Sequence, residues 1–391
     1  MRKKRCLLVR CKDIVMEDII WGIMESGHDC DCFDINCSTL DSDETCVASI
    51  KKYISANPAD IVLSMNFSPT ISIACSELSI PYASWIYDCP LQSLYNDSAY
   101  NTTNYFFIFD KYLLNVCKER ALPNLYYLPL AANISRLGQT IISENDEKEY
   151  SCDISFVGMP YVDGRYSFYR NNLATDFQDE LDSAAYGMIG KWDGRDHIHN
   201  ILSDELIYAM SRLSAEDPGE KLNLPNRLYF EEVIIARAVA YTERKLMMEK
   251  ISHLNPRWYG ANVSDNDKNQ GVSYYPWLSY QGTLPKAYYL SKINLSSSLH
   301  SIFSGLPLRV FDIIGSGGFI LTNYQPEIEE LFDIGKEIVV YHNFDEMSDL
   351  AGFFLTHESE RLSILTEGYK KICDSYTYPV AVSKIISRVF R

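Results

Sequence analysis

The sequence has little positive charge and no long apolar run. It contains 36 Lys and Arg residues against 52 Asp and Glu residues, a formal net charge of −16. This balance argues against sequence-independent binding to nucleic acid and against adhesion to anionic membranes. No window approaches the ~18 apolar residues of an integral membrane segment, and the run Cys6–Val9 is too short for a signal-peptide core. We therefore expect a cytoplasmic protein.

Two common motifs are also missing. The eleven cysteines show no paired zinc-type spacing, although Cys30, Cys32 and Cys37 lie near His28. A metal site there competes with buried free thiols, and scattered free thiols are typical of a reducing cytoplasm. No Gly-x-Gly-x-x-Gly follows the first strand-like run, which disfavours an NAD-dependent dehydrogenase.

Short apolar runs alternate with amphipathic stretches along the 391 residues, a length that suits two domains of roughly 100–200 residues each. This alternation predicts parallel sheets with helices on both faces. The strands predicted in the first half are Arg5–Arg10, Cys30–Ile35, Ile61–Met65, Pro81–Tyr87, Tyr105–Phe109 and Leu125–Leu128.

A polar, acidic stretch at Ile142–Glu149 is interpreted as the connection between an N-terminal domain, residues 1–145, and a second domain, residues 150–377. Residues 165–253 are predicted to be largely helical, with a turn at Asp217–Gly219. A C-terminal helix at about 378–391 could pack back on the first domain. The strands predicted in the second half are Ile154–Val157, Arg257–Tyr259, Gly271–Tyr275, Ile293–Ser296, Phe319–Thr322 and Glu337–Tyr341.

The segment from Ile293 to Gln325 combines a strand, a small-residue loop, a helix at Leu308–Gly315 and another strand. Pro307 suits the start of that helix, and Gly317-Gly318 suits its end. A helix N-terminus offers free N–H groups and a positive dipole end, which favour a bound diphosphate.

Arg309 lies in the first turn of this predicted helix, where a cation is unfavourable unless an anion binds beside it. Asp312 could accept hydrogen bonds from ribose hydroxyls, as acidic residues do in dinucleotide sites. The competing interpretation is a surface ion pair between Arg309 and Asp312, which would contribute little.

Long runs of unusual composition resemble the CgeB-like (spore maturation protein) glycosyltransferase family and its companion N-terminal domain. The runs are SKINL, SGLPLRVFDI and GGFILTNYQ within Lys292–Gln325, ADIVLSMNFSP at Ala59–Pro69, YASWIYDCP at Tyr82–Pro90, FFIFDK at Phe106–Lys111, YYLPLAAN at Tyr126–Asn133 and DISFVG at Asp153–Gly158.

The resemblance implies an α/β protein of the GT-B type, with two doubly wound Rossmann-like domains facing each other across a cleft. It further implies a nucleotide-diphosphate sugar, expected to be a UDP-sugar, as the donor of a hexosyl or N-acetylhexosaminyl group. The acceptor would be a protein, a glycan or a small molecule, and no metal or other cofactor would be required. The donor-binding positions that it suggests are Gly158, Tyr280, Gly282, His300, Ser304, Gly305, Leu306, Pro307, Arg309 and Asp312.

Related GT-B enzymes carry two glutamates eight residues apart in this segment. Asp312 stands at the second position as a conservative change, whereas Ser304 departs from the pattern at the first. Retention or inversion of the anomeric configuration therefore stays open. A catalytically weak nucleotide-sugar-binding protein and a GT-B-shaped epimerase are the competing functions.

Several donor-side positions have two interpretations. Gly158 could allow a backbone to approach the diphosphate or could form a simple turn. Tyr280 and Trp277 could stack on the base or pack in the core. Arg244 and Lys245 are expected on a solvated helix face, although one could reach the phosphates. His300 is a candidate phosphate donor or a structural histidine.

On the acceptor side, polar residues follow predicted parallel strands, whose carboxyl ends form ligand sites. Asp88 is the candidate general base, with Arg309 as the second catalytic residue, and the competing role of Asp88 is an Asx turn. Asp110 is the other candidate base or a helix cap. Asn66 could orient a hydroxyl, and Trp85 belongs to the same motif as Asp88.

Overall fold

The computed structural model describes residues 2–10, 14–36, 42–138, 140–162, 164–213, 225–260, 263 and 268–391. The predicted turn at Asp217–Gly219 and Cys37 lie outside these residues. The chain forms two compact units. The first contains the described residues up to Asn133 together with Asp374–Arg391, and the second contains the described residues from Ile134 to Cys373.

The described part of the first unit has a six-stranded parallel sheet of order β2-β1-β3-β4-β5-β6. Its central strands β3 and β4 are buried along their whole length, as expected where helices cover both faces. The strands are β1 (Arg5–Arg10), β2 (Asp29–Asp34), β3 (Ile61–Met65), β4 (Tyr82–Ile86), β5 (Asn104–Ile108) and β6 (Leu125–Tyr127). The α-helices are α1 (Met16–Glu25), α2 (Glu44–Ala56), α3 (Pro69–Leu78) and α4 (Lys111–Glu119), with 3₁₀ turns at Gln92–Tyr95 and Asp97–Tyr100.

The described part of the second unit has another six-stranded parallel sheet, of order β12-β11-β10-β7-β8-β9. Its strands are β7 (Cys152–Val157), β8 (Arg257–Tyr259), β9 (Ser273–Tyr275), β10 (Ser291–Ser296), β11 (Ile320–Asn323) and β12 (Val339–Tyr341). Its α-helices are α5 (Ile134–Leu137), α6 (Glu144–Tyr150), α7 (Arg165–Asn172), α8 (Thr175–Met188), α9 (Asp204–Leu213), α10 (Asn226–Leu228), α11 (Ala236–Lys250), α12 (Thr283–Leu290), α13 (Leu308–Gly315), α14 (Ile328–Leu331), α15 (Phe344–Thr356) and α16 (Glu358–Ser375).

The last helix, α17 (Tyr378–Val389), belongs to the first unit and packs on α1. Tyr378 lies directly against Gly22, where a Cβ atom would stand 2.7 Å from the tyrosine Cβ. The Tyr378 ring also meets the Trp85 ring edge to face, with 5.5 Å between centroids. The chain therefore returns to its first unit after completing the second.

The two predicted α/β sheets are confirmed, and α13 spans the residues predicted for it. Helices α12, α15 and α16 were not predicted from the sequence as separate elements. The stretch Ile142–Glu149 contains α6, whose start is fixed by a capping box between Ser143 and Asp146. Asp146 also pairs with Lys286 of α12 at 2.8 Å, which ties α6 to the second unit.

Each sheet has a point where the order of its strands reverses direction. In the first sheet it lies between β1 and β3, and in the second between β7 and β10. Open α/β sheets bind ligands beyond the carboxyl ends of the strands at such a point. Asn66, directly after β3, and Gly158, directly after β7, therefore mark the edges at which a ligand is expected.

Candidate functional site

Gly158 lies at the point where the strand order of the second sheet reverses, and it has no side chain to cover the backbone there. Its N–H donates to the Tyr259 carbonyl at 3.0 Å, and its own carbonyl accepts from Trp258 Nε1 at 2.8 Å. A Cβ atom here would stand 3.3 Å from a guanidinium nitrogen of Arg309. A side chain at this position would crowd the arginine, so glycine keeps the space beside it open.

Arg309 lies in the first turn of α13, half-buried, with its guanidinium carbon 5.7 Å from the centre of the Phe156 ring. It forms no ion pair with a carboxylate of the described residues, so the surface pair with Asp312 considered above is not observed. A cation at a helix N-terminus opposes the helix dipole. An anion bound beside Arg309 would offset this unfavourable interaction with the dipole.

Arg244 of α11 is buried, and the expectation that it lies on a solvated helix face is wrong. Its guanidinium donates to the carbonyls of Met159 and Ser297, and its Nε atom has no partner. Its guanidinium carbon lies 5.3 Å from the centre of the Phe156 ring. Helical periodicity around Arg244 is ambiguous because the preceding π-helical stretch Tyr229–Ile235 rotates the face that α11 buries.

Burial lowers the pKa of Arg244 to about 10, and the positive charge of Arg309 contributes to this shift. Both guanidinium groups lie over the Phe156 ring and their positive charges repel each other, while the negative charge of the adjacent Glu243 offsets part of the effect on Arg244. A buried cation is costly unless it is paired. An anion bound between the two arginines would remove this cost.

Asp312 and Tyr280 meet next to this cation pair. Asp312 is buried in α13, and the Tyr280 hydroxyl donates to its Oδ1 atom at 3.3 Å. Arg136 holds Tyr280 in place, because its guanidinium covers the ring at 4.5 Å and donates to the Tyr280 carbonyl at 3.0 Å. Trp277 is 57% exposed and Gly282 precedes α12 as its N-cap. Their contacts with a base stay predictions.

The loop before α13 is more constrained than its sequence suggests. Gly305 and Leu306 are buried, and Pro307 is the N-cap of α13. Ser304 Oγ donates to Glu327 Oε1 at 2.7 Å, and the Glu327 N–H donates to the Ser304 carbonyl at 3.1 Å. A carboxylate distant in sequence therefore reaches position 304. Sequence reasoning missed it, since Glu327 lies just beyond the motif that ends at Gln325.

His300 is paired with a buried carboxylate. Its Nε2 atom lies 2.9 Å from Glu243 Oε1, which also accepts the Gly190 N–H at 2.8 Å. Burial disfavours the charged imidazole, but the charge and hydrogen bond of Glu243 outweigh it and raise the pKa of His300. This pair gives His300 a structural partner, and a contact between His300 and phosphate stays a prediction.

In the first unit, Asn66 and Asp88 form a polar pair at the carboxyl ends of β3 and β4. Asn66 has a left-handed backbone with φ 58°, and its Nδ2 atom donates to Asp88 Oδ2 at 2.8 Å. Asn66 Oδ1 accepts the N–H groups of Tyr87 and Asp88 at 3.1 and 3.2 Å. The Asp88 side chain reaches solvent, yet desolvation by surrounding protein raises its pKa more than the Asn66 hydrogen bond lowers it.

The other two acceptor-side candidates lie inside the first unit. Trp85 is 1% exposed and packs against Tyr378. Asp110 is fully buried and caps α4 by accepting the Leu113 N–H at 2.8 Å. Asp110 thus takes the helix-capping role that the sequence left open for it, and neither side chain is exposed for contact with an acceptor.

The described residues hold no group of three His, Cys, Asp or Glu side chains that could bind a metal ion. His28 is buried and accepts the Lys4 N–H at Nδ1, at 3.2 Å. Burial raises the pKa values of Cys30 and Cys32, which favours thiols over thiolates. Among the described helices, none combines the length and apolar character needed to cross a bilayer.

Residues 243–387 match a family model described as glycosyl transferase-like. The matched segment begins at the Glu243-Arg244 pair and contains β10, α13 and the donor-side loop. This match supports glycosyl transfer as the class of activity. None of the curated proteins matches the sequence.

Solved structures resemble the whole chain. A glycosyltransferase from Rickettsia africae ESF-5 has a TM-score of 0.54 at 9% identity, covering 100% of this chain and 98% of its own. The BGT protein of T4 phage, in complex with its UDP-glucose substrate, has a TM-score of 0.53 at 8% identity, covering 99% and 100%. The fold is of the GT-B type. A protein from Listeria monocytogenes, described as a UDP-N-acetylglucosamine 2-epimerase, has a TM-score of 0.53 at 9% identity, covering 99% and 96%.

Proposed function

We propose that the chain transfers a hexosyl or N-acetylhexosaminyl group from a UDP-sugar to a hydroxyl group of an acceptor. The observation that carries this proposal is that the guanidinium groups of Arg244 and Arg309 both lie close to the Phe156 ring, with Arg309 next to the backbone of Gly158. Arginine suits phosphate because its planar fork donates two parallel hydrogen bonds. Two such groups, one of them in the first turn of α13, fit two linked phosphates.

The neighbouring residues suit the rest of the donor. Asp312, oriented by Tyr280, would accept hydrogen bonds from the ribose hydroxyls. UDP is the nucleotide to test first, because the T4 phage protein of similar fold is bound to UDP-glucose.

In the proposed reaction, the acceptor oxygen bonds to the anomeric carbon while the bond from that carbon to the β-phosphate oxygen breaks. The UDP leaves with the electron pair, and, in an enzyme that inverts the anomeric configuration, the acceptor proton passes to the Asp88 carboxylate. Arg309, Arg244 and the N-terminus of α13 would stabilise the charge that develops on the diphosphate. We therefore propose that donor binding requires no divalent cation.

Thermal unfolding with and without UDP tests the proposal, because a ligand that binds only the folded state raises the melting temperature. Arg309→Ala removes a charged hydrogen-bond donor, which is worth about 1.5–3 kcal/mol, so we expect UDP affinity to fall about 10- to 100-fold. Exposed Arg212 of α9 is the control, and Arg212→Ala should bind UDP normally. Unchanged affinity in Arg309→Ala, or a UDP effect abolished by EDTA, would contradict the proposal.

The fold similarity to the Listeria protein leaves an epimerase as the second candidate. An epimerase interconverts sugar nucleotides without an acceptor, so incubation with UDP-sugar alone separates the two functions. A new UDP-sugar in the absence of acceptor would favour the epimerase. Binding with neither conversion nor transfer would favour a catalytically weak binding protein.

A further inference from the structure

A cavity of about 270 Å³ lies in the second unit, outside the donor residues described above. It is formed by the segment before α7 and by helices α7, α8 and α11. Four tyrosines line it, and the small side chain of Ala238 on α11 leaves room at its wall. The tyrosines are Tyr161, Tyr166, Tyr186 and Tyr241.

The tyrosines that line the cavity expose mainly the surfaces of their rings to it. The Tyr166 hydroxyl is already bound to Asp182 Oδ1 at 2.8 Å, so its ring is what remains for an occupant. Tyr186 and Val162 line the cavity although they are 66% and 56% exposed. Exposed apolar surface that lines a concavity is typical of a ligand site.

Tyr161 links this cavity to the proposed diphosphate site. Its φ of 61° is unfavourable for a bulky residue, and such strain is concentrated at functional positions. The Arg244 guanidinium lies 4.6 Å from the centre of its ring, and the Arg237 guanidinium lies 5.9 Å away. Tyr161 therefore contributes to the cavity and contacts one of the two arginines assigned to phosphate.

The contacts define an order along the site. Arg244 contacts both Tyr161 and Phe156, and Phe156 in turn contacts Arg309. Arg309 precedes Asp312 by one turn of α13. If Asp312 holds the ribose, the cavity adjoins the opposite end of the diphosphate. The transferred sugar is attached at this end of the diphosphate, so the nucleotide base is not the expected occupant of the cavity.

We propose that this cavity binds an aromatic group of two fused rings, carried by the acceptor. A dry cavity of about 150 Å³ holds one benzene ring, so the larger volume here suits two. Stacking and edge-to-face contacts with four tyrosines favour a planar ring system. The inference rests on the proposed glycosyl transfer and specifies the class of acceptor.

The probe is 4-methylumbelliferone, a fluorescent phenol with two fused rings, titrated into the full chain with saturating UDP. Ala238→Trp would fill the cavity from α11, and we expect it to weaken probe binding at least tenfold while UDP affinity is retained. Tyr186→Ala removes one wall and should weaken probe binding several-fold. Tyr208→Ala is the matched control, because Tyr208 is a helical tyrosine of similar exposure, 68%, outside the cavity.

The outcomes separate this inference from the proposed function. Probe binding that is insensitive to both Ala238→Trp and Tyr186→Ala, or absent from the wild type, would overturn the inference while UDP binding still supports the transferase. Competition between the probe and UDP would indicate that the cavity binds the nucleotide base, and this result would also overturn the inference. Probe binding lost in Ala238→Trp, in a protein that never binds UDP, would support the cavity but contradict the transferase.

Discussion

At the scale of single residues, Asn66 fixes Asp88 by three hydrogen bonds, one to its carboxylate and two from the backbone N–H groups of residues 87 and 88. The carboxylate is thereby held in one orientation while desolvation raises its pKa. A base with a pKa closer to the working pH is more effective than an ordinary aspartate. This geometry fits the general-base role better than an Asx turn, since the carboxylate bonds a distant side chain.

Asp88→Asn should lower turnover about 10²- to 10⁴-fold, the usual contribution of a general base. The wild-type rate should fall as the pH is lowered through the raised pKa of Asp88, and the variant should lack this acidic decline. The measurement is the pH dependence of kcat/KM.

The pH dependence of stability should be opposite in sign to the pH dependence of activity. Because the folded-state pKa of Asp88 is raised, the protonated form stabilises the fold, and this contribution is lost as the pH rises through that pKa. A neutral amide should therefore leave the melting temperature at pH 7 unchanged or higher. A variant with full activity and an unchanged acidic decline would exclude Asp88 as the base.

At the scale of elements, the end of α13 fixes the start of β11 by close backbone contacts. A Cβ atom on Gly318 would lie 2.8 Å from the Tyr288 carbonyl oxygen and 3.0 Å from that of Ile313. Both contacts are with backbone, so the helix end or the neighbouring α12 would have to shift. The position of α13, and hence of Arg309 at its other end, depends on this glycine.

Gly318→Ala should therefore destabilise the protein by about 1–3 kcal/mol, the usual cost of overpacking, and should weaken UDP binding as well. Gly187→Ala in α8 is the matched control, because its added Cβ would meet no atom within 4 Å beyond its chain neighbours and the nearby backbone of its own helix. The control should be neutral or more stable by up to about 1 kcal/mol, since alanine favours helix. Urea unfolding measures both. Equal stability of the two variants would show that the α13–β11 turn tolerates a side chain.

At the scale of the whole molecule, the C-terminal helix α17 completes the first unit after the chain has formed the second. Tyr378 is 1% exposed and packs against Gly22 and Trp85. The first unit therefore depends on a segment that follows the second unit in the chain.

Tyr378→Ala should destabilise the first unit by about 3–5 kcal/mol, the range for deleting a large buried aromatic side chain. Tyr100→Ala serves as the comparison, because that side chain is 47% exposed in the same unit. Chemical unfolding followed by tryptophan fluorescence should show an earlier transition for the Tyr378 variant alone. Coincident curves for the two variants would mean that α17 adds little to the first unit.

The sequence by itself determined the two α/β sheets and the position of α13, because short apolar runs, Pro307 and Gly317-Gly318 act locally. It did not determine which cations face a ligand. Packing between segments distant in the chain buries Arg244 near Arg309 and places Glu327 within hydrogen-bond distance of Ser304. Such contacts depend on strand order and helix rotation, which local periodicity does not encode. Only the tertiary structure therefore decided the composition of the site.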